Sequence, residues 1–179
     1  MNSKNIRDLS RMRFSPRAFK DHPVDDNLLQ ALVKDAGGAP SSMNEQPWRF
    51  IYAHKSEIKK YETLLSCLNS DNQDWAGSAP VLMAVCATPN FKRNGRVNRH
   101  ALYDTGQAIG QFSLLLTEAG LYMRQMGGFI FETAKEKLAL GDLEPVVFVA
   151  IGYVDESYVR PQRSRLNIDE IIIEGKNID

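Results

Sequence analysis

Apolar positions along the chain follow two rhythms, one helical and one strand-like. From Asp25 onward, Leu28, Leu29, Leu32, Val33 and Ala36 share one face at helical spacing; Asp25 or Asp26 can cap this helix, and Gly37, Gly38 and Pro40 stop it. The residues from Trp48 to Ala53 alternate and favour extended backbone, which predicts a strand. Ser56 opens a second helix that turns Ile58, Tyr61, Leu64, Leu65 and Leu68 inward. After a polar break, Pro80 leads into a near-unbroken apolar run ending at Ala87, the pattern of a strand covered on both faces. Helical register returns from Tyr103 to Ala119, through Ala108, Ile109, Phe112, Leu115 and Leu116, and Gly120 ends it. Gly106 and Gly110 lie on a shared side of that helix, where another helix or a flat ring can come close. Met126 to Phe129 then reads as a loop, Glu132 to Leu140 as a short helix, and Val146 to Tyr153, after Pro145, as a second buried strand.

These elements alternate without the regular repeat of a doubly wound parallel fold, so an α+β layered architecture is expected. A length of 179 residues with 43% hydrophobic content supports one core, hence a single domain over 1–179. No period repeats along the chain. Lysine plus arginine equals aspartate plus glutamate at 22 each, so no net field draws the molecule to nucleic acid or to an anionic membrane. The first 13 residues are polar and charged, and no stretch reaches the roughly 18 uncharged residues of a membrane span. Of two cysteines, Cys86 lies inside the apolar run and reads as a small core hydrophobe, which fits a reducing, cytoplasmic setting.

Four polar clusters interrupt this pattern. In Arg13-Phe14-Ser15-Pro16-Arg17, two guanidinium forks and a hydroxyl on a proline-stiffened turn can converge on a phosphate, or can simply be surface charge. The loop from Ala39 to Trp48 offers Ser41, Ser42, Asn44 and Gln46 between two prolines. It suits the edge of a heterocycle, or equally a turn whose side chains satisfy their own backbone. No histidine stands near Ser41 or Ser42 in sequence, and no nucleophile elbow surrounds them. Arg163 and Arg165 occupy alternate positions and point the same way if the chain is extended, as a phosphate clamp or as part of a solvated tail. Between Asn90 and His100 lie Lys92, Arg93, Arg96 and Arg99. A solvated loop is the simpler reading there, and Phe91 alone is a poor platform for stacking single-stranded nucleic acid. No metal site is expected among these motifs.

Taken in order, these motifs resemble the FMN-dependent nitroreductase family. The Arg-x-Ser-x-Arg start followed by Ala18-Phe19, the Pro40 to Trp48 loop, the helix from Asp104 to Gly120, the glycine pair and the closing Arg163-Ser164-Arg165 span nearly the whole chain. The resemblance implies an α+β sandwich, mainly antiparallel with flanking helices, forming a homodimer with FMN at the subunit interface. It implies that Arg13, Phe14, Ser15 and Arg17 hold the phosphate and part of the ring edge. Pro40, Ser41, Ser42 and Asn44, with Gln46, would line the flavin, often from the partner subunit. Met126, Gly127 and Gly128 would bring backbone donors beside the ring, Arg163 and Arg165 would meet the phosphate, and Asn72 stands roughly where some relatives place an asparagine on the flavin. NADH or NADPH would be the transient donor, and a nitroaromatic or quinone the acceptor, with no side chain acting as catalytic nucleophile. No dinucleotide fingerprint distinguishes the two donors. The stretch from Gly128 to Pro145 leaves little room for inserted lid helices, so a small pocket, or one completed by the partner, is expected. The same scaffold can also serve flavin breakdown, dehalogenation or dehydrogenation, or bind flavin without turnover.

Overall fold

Side chains of the strand β2 (Val81–Ala87) alternate between two separate cores. The structure, a computed structural model, describes residues 5–172 and 175. Val81, Met83 and Val85 pack against the helices α2 (Asp26–Ala36) and α5 (Ala101–Glu118), through Leu29, Leu32, Ile109, Phe112 and Leu116. Leu82, Ala84 and Cys86 face the opposite layer, built from α3 (Ile58–Ser66), α4 (Ser70–Ala76) and α6 (Phe131–Lys137). The strand β4 (Glu144–Gly152) divides in the same way, Val147, Val149 and Ile151 to one side and Phe148 and Ala150 to the other. With β1 (Trp48–His54) and β3 (Tyr122–Met126) at the edges, the sheet runs β1-β2-β4-β3 and every pairing is antiparallel. The expected α+β sandwich is therefore observed. Helices cover both faces, so the two central strands carry the continuous apolar runs more usual in parallel sheets.

Where the structure departs from expectation, the missed elements are short and polar. Met126 ends β3 rather than opening a loop; this five-residue edge strand carries Arg124 and Gln125 and lacks a strong apolar signal. Pro145 lies inside β4, beside the register shift between Val85 and Cys86, where a missing N–H is tolerated. Tyr153 lies just past the end of that strand. Two further helices have single buried residues and so no apolar stripe. They are α1 (Ile6–Met12), capped by Asn5, and α4, capped by Asn69. A last turn of helix, α7 (Ile168–Ile171), opens on a capping box between Asn167 and Glu170. The long helix starts at Ala101, two residues before Tyr103, and α6 stops at Lys137, because Ala139 takes a left-handed φ of 48°.

The feature that builds the site is a seam between the two ends of the chain. Phe19 pairs with Val154 in an isolated antiparallel bridge, Lys20 N–H donates to the Tyr153 carbonyl at 2.9 Å, and Asp155 N–H donates to Ala18 at 3.2 Å. Only a glycine fits at position 152, since a Cβ there would lie 2.5 Å from Pro80 Cδ and 3.0 Å from Phe19 Cδ1. The Arg13–Arg17 segment is thus laid alongside residues 155–165. No helix among the described residues is long and apolar enough to cross a membrane.

Candidate functional site: an arginine-lined cleft

Beyond the seam, the C-terminal arm is fastened to the end of α1. Arg160 donates through Nη2 to the Arg11 carbonyl at 2.9 Å and through Nη1 to Met12 at 3.4 Å, and its guanidinium lies 4.8 Å above the Phe14 ring. Phe14 also meets Tyr122 at 4.7 Å and stacks with Tyr158 at 6.2 Å. This phenyl ring is therefore a hub that docks the two arms on β3.

Between the arms opens a cleft of about 760 Å³, within the usual size of a ligand site. Arg13, Phe14 and Ser15 line it from the N-terminal side, Arg160, Arg163 and Arg165 from the C-terminal side, and Arg124 and Gln125 from β3. Residues about 150 positions apart in sequence thus line one cleft. Arg11, also on the wall, lies 3.8 Å from Asp8; the other five arginines have no carboxylate within 4.0 Å among the described residues.

Arg124 is the most telling of them. Its Nη1 donates to the Ser15 carbonyl at 2.9 Å, and its guanidinium lies 5.4 Å from the Trp75 ring. Burial holds its pKa below the ordinary arginine value, and the like charges of Arg17 and then Arg163 add to that, with Tyr158 opposing. A partly desolvated cation repelled by two others is a group that an anion would stabilise. Five guanidinium groups without a carboxylate partner among the described residues, together with the Ser15 hydroxyl, match the donor set of a phosphate monoester. Arg17 does not line the cleft but reaches it electrostatically through Arg124. Sequence reasoning missed Arg124 and Arg160: the first sits on the unrecognised strand, and the second stands just upstream of the basic pair, where it could have been grouped with it.

The proline-flanked loop lies elsewhere. Pro40, Ser41 and Ser42 line a separate hollow of about 250 Å³ with His100, Tyr103, Asp104 and Gln107 of the α5 N-terminal region. Its backbone is unusual: Met43, Asn44 and Gln46 all have φ between 50° and 56°, a left-handed conformation costly for side chains other than glycine. The loop holds this shape with its own groups. Ser41 Oγ accepts from Gln46 N–H at 3.0 Å, and Asn44 Oδ1 accepts from Gln46 Nε2 at 3.2 Å. Arg49 Nη1 donates to the carbonyls of Gln46 and Trp48 at 3.0 and 2.6 Å. Beneath it Asp104, only 2% exposed, accepts from Ser42 N–H at 2.9 Å. Asp104 had no sequence signal beyond being an acid in an otherwise apolar helix.

Neither Asn44 nor Gln46 lines this hollow or the cleft, and Met126, Gly127 and Gly128 line neither. Met126 is buried in the core and pairs with Phe148 at the end of β3. Gly128 is pinned: its carbonyl accepts from Asn69 N–H at 3.1 Å and from Asn72 Nδ2 at 2.9 Å, and a Cβ would fall 2.7 and 2.8 Å from the side-chain Nδ2 atoms of Asn69 and Asn72. Asn72 thus reaches the glycine pair, whereas Gly127 faces open space.

Comparison with known proteins decides the assignment. The profile of the nitroreductase family matches residues 11–153. The chain belongs to the nitroreductase family. It is 27% identical over 169 residues to a candidate NADH dehydrogenase/NAD(P)H nitroreductase of Ralstonia nicotianae, covering 84% of this chain and 86% of that protein. A crystal structure described as an oxidoreductase containing FMN superposes with a TM-score of 0.87 at 26% identity, over 99% of this chain and 95% of the other. A more distant likeness is to the iodotyrosine deiodinase of Drosophila melanogaster, at 23% identity over 210 residues, covering 96% of this chain and 70% of that protein. The matched residues begin within the α1 end of the arginine cleft and stop at Tyr153, just before the C-terminal arm. The cationic half contributed by Arg160, Arg163 and Arg165 therefore lies beyond the matched region.

Proposed function

We propose that this nitroreductase-family chain is an FMN-dependent oxidoreductase that takes electrons from NADH or NADPH and passes them to a small acceptor such as a nitroaromatic or a quinone. The observation that carries the reading is the cleft whose arginines lack carboxylate partners. Arg13, Ser15, Arg163 and Arg165 would hold the phosphate, with Arg17 adding positive charge from outside the cleft and Phe14 fixing the segment that presents them. FMN, when bound, supplies the hydride and electron chemistry. The protein's own contribution is to position and to tune: Arg124 and its neighbours favour an electron-rich occupant over a neutral one, because their charge is uncompensated and partly removed from water. The Met126–Gly128 backbone offers its groups at the end of β3, and Asn72 fixes that loop.

The Pro40–Gln46 loop sits apart from the cleft in one chain, which supports a homodimer in which a second copy brings its Pro40, Ser41, Ser42, Asn44 and Gln46 to complete the site. Leu102 and Tyr103 on α5 are exposed, and nothing lies within 4 Å of a Cβ built at Gly106 or Gly110 on the same helix. Val159, Leu166, Ile168, Ile171 and Ile172 of the C-terminal arm are exposed as well, an apolar surface of the kind that marks an interface. A cytoplasmic enzyme with a small-molecule partner, rather than nucleic acid or membrane, is consistent with the balanced charge.

The test is direct. Purified protein is expected to show the visible bands of oxidised flavin, to lose them anaerobically on addition of NADH or NADPH, and to regain them when a nitroaromatic or quinone is added. Flavin that stays oxidised with both nucleotides would overturn the reading. The likeness to iodotyrosine deiodinase favours one second reading, reductive dehalogenation on the same scaffold. Reoxidation of the reduced protein by a halotyrosine but not by nitroaromatics or quinones would select it.

A further inference from the structure

The segment between β2 and α5 presents a second cationic surface that the arginine cleft does not use. It is a fixed hairpin rather than the free loop its composition suggests. Asn90 pairs with Val97, Phe91 N–H donates to the Arg96 carbonyl at 2.9 Å, Gly95 turns the chain at φ +67° and donates to Phe91 at 2.9 Å, and Asn98 N–H donates to Pro89 at 2.8 Å. Its base is buried through Asn98, whose Oδ1 accepts from His100 N–H at 3.0 Å. Lys92, Arg93, Arg96 and Arg99 are all exposed, and none lies within 4.0 Å of a carboxylate among the described residues. The nearby acid, Glu45, accepts from the Lys92 backbone N–H at 2.8 Å instead of pairing with a cation, and this bond ties the hairpin to the Pro40–Gln46 loop.

One residue past Arg99, His100 forms part of the 250 Å³ hollow with Ser42, Tyr103 and Asp104. The hollow itself offers hydroxyl, amide and phenol groups beside one buried carboxylate, Asp104, which accepts from Ser42 N–H. A small chamber lined by no lysine or arginine therefore adjoins a hairpin bearing four cations without a carboxylate partner among the described residues. That juxtaposition matches a molecule with an uncharged flat head and a multiply phosphorylated tail. A diphosphate bridge is met by about two basic side chains. Four of them leave charge for a further phosphate monoester, which carries about −1.5 to −2 at neutral pH.

We infer that the 90–99 hairpin clamps the phosphates of the hydride donor and makes this chain prefer the 2′-phosphorylated dinucleotide NADPH to NADH. The inference rests on the oxidoreductase reading above, and its test separates the two. FMN-loaded protein, its flavin content fixed by visible absorption, is titrated with 2′,5′-ADP, with 5′-AMP and with inorganic phosphate, and its anaerobic reduction by NADPH and NADH is followed at rising potassium chloride. Expected are roughly tenfold tighter binding of 2′,5′-ADP than of 5′-AMP and a similar gap in half-saturation between NADPH and NADH, as charge-assisted phosphate contacts predict. Both gaps should shrink with salt and close in Arg93→Ala/Arg96→Ala, while flavin content stays unchanged. Equal half-saturation for the two dinucleotides, a gap that survives in the double variant, or inorganic phosphate binding as tightly as 2′,5′-ADP would each overturn the inference. A hairpin-dependent preference for 2′,5′-ADP without flavin reduction by either dinucleotide supports the clamp and removes the oxidoreductase reading instead.

Discussion

The arginine cleft and the Pro40–Gln46 loop were both candidates for the same ligand, yet they satisfy their polar groups in opposite ways. In the cleft, five guanidinium groups face a common space with no carboxylate to answer them among the described residues. In the loop, the Ser41 hydroxyl, both Asn44 oxygens and the Gln46 amide already bond to one another, and Asp104 closes the set from below. The first region is electrostatically incomplete without an anion. The second is chemically closed but conformationally strained, with three left-handed residues held in place by side-chain bonds. An unpaired cation implies affinity, whereas a strained and self-satisfied loop implies shape. The two should respond to mutation on different observables.

The largest effect belongs to the cleft. Arg13→Ala combined with Arg165→Ala removes one cation from each arm, and each charge-assisted contact is worth about 1.5–3 kcal/mol. Flavin affinity should fall by roughly 10²- to 10⁴-fold, giving soluble protein that is nearly colourless after gel filtration. Full flavin occupancy in that variant would mean that the cleft is not the phosphate site. The thermal unfolding of the flavin-free forms should nearly coincide, because the one hydrogen bond lost among the described residues is the exposed local bond from Arg165 Nη1 to the Ser164 carbonyl at 2.9 Å.

How much of this was legible in the sequence follows the same division. The central strands announced themselves through Val81 to Ala87 and Val146 to Ile151, because burial on both faces forces an unbroken apolar run. The helices α2 and α5 showed through their apolar spacing. Elements held mainly by caps and edges, such as α1, α4 and β3, have little apolar periodicity, and Arg124 was lost with the last of them. Arg13, Ser15, Arg163 and Arg165 were legible because guanidinium clusters state their chemistry locally. Their convergence was expected only through the family resemblance, since physically it depends on the Phe19 to Val154 bridge and on the absence of a side chain at Gly152. Asp104 illustrates the limit: its role arises only from the loop folded above it. Cys86 is buried as the apolar run around it suggested, burial pushing its thiol pKa up to about 11, and burial raises the pKa of Cys67 as well.

A middle-sized effect should come from the loop and leave the cleft untouched. In Asp104→Ala the Ser42 N–H loses a buried charged acceptor, at a cost of about 1–3 kcal/mol. For a chain of this size that lowers Tm by roughly 3–10 °C. The strained φ values of Met43, Asn44 and Gln46 should relax with it, seen as faster amide exchange across residues 41–46. Flavin binding to the arginines should persist, while half-saturation by the nucleotide donor rises. Asp104→Asn retains an acceptor for the N–H and should recover most of the Tm. A loss of bound flavin as complete as in the double arginine variant would erase the distinction between the two regions.

The smallest effect probes the support on either side of that loop. Asp26, at the start of α2, accepts from Tyr52 Oη at 2.8 Å and from Gln30 Nε2 at 2.7 Å and lies 3.0 Å from His54 Nε2, tying the start of α2 to the far end of β1, the two elements whose opposite ends flank the loop. The bond to His54, then that to Tyr52, hold its pKa below the ordinary value of 3.8. A carboxyl whose pKa is depressed by folding contributes stability that is fully present above its unfolded pKa and is lost as pH falls through the folded value. The contribution should therefore be constant from neutrality down to about pH 5 and disappear only in the acid range beneath 3.8. Asp26→Asn should reduce the pH dependence of Tm in that range while leaving the flavin spectrum unchanged. A variant whose acid unfolding superposes on that of the original chain would show that this exposed cluster does not brace the loop, leaving Asp104 as its principal anchor.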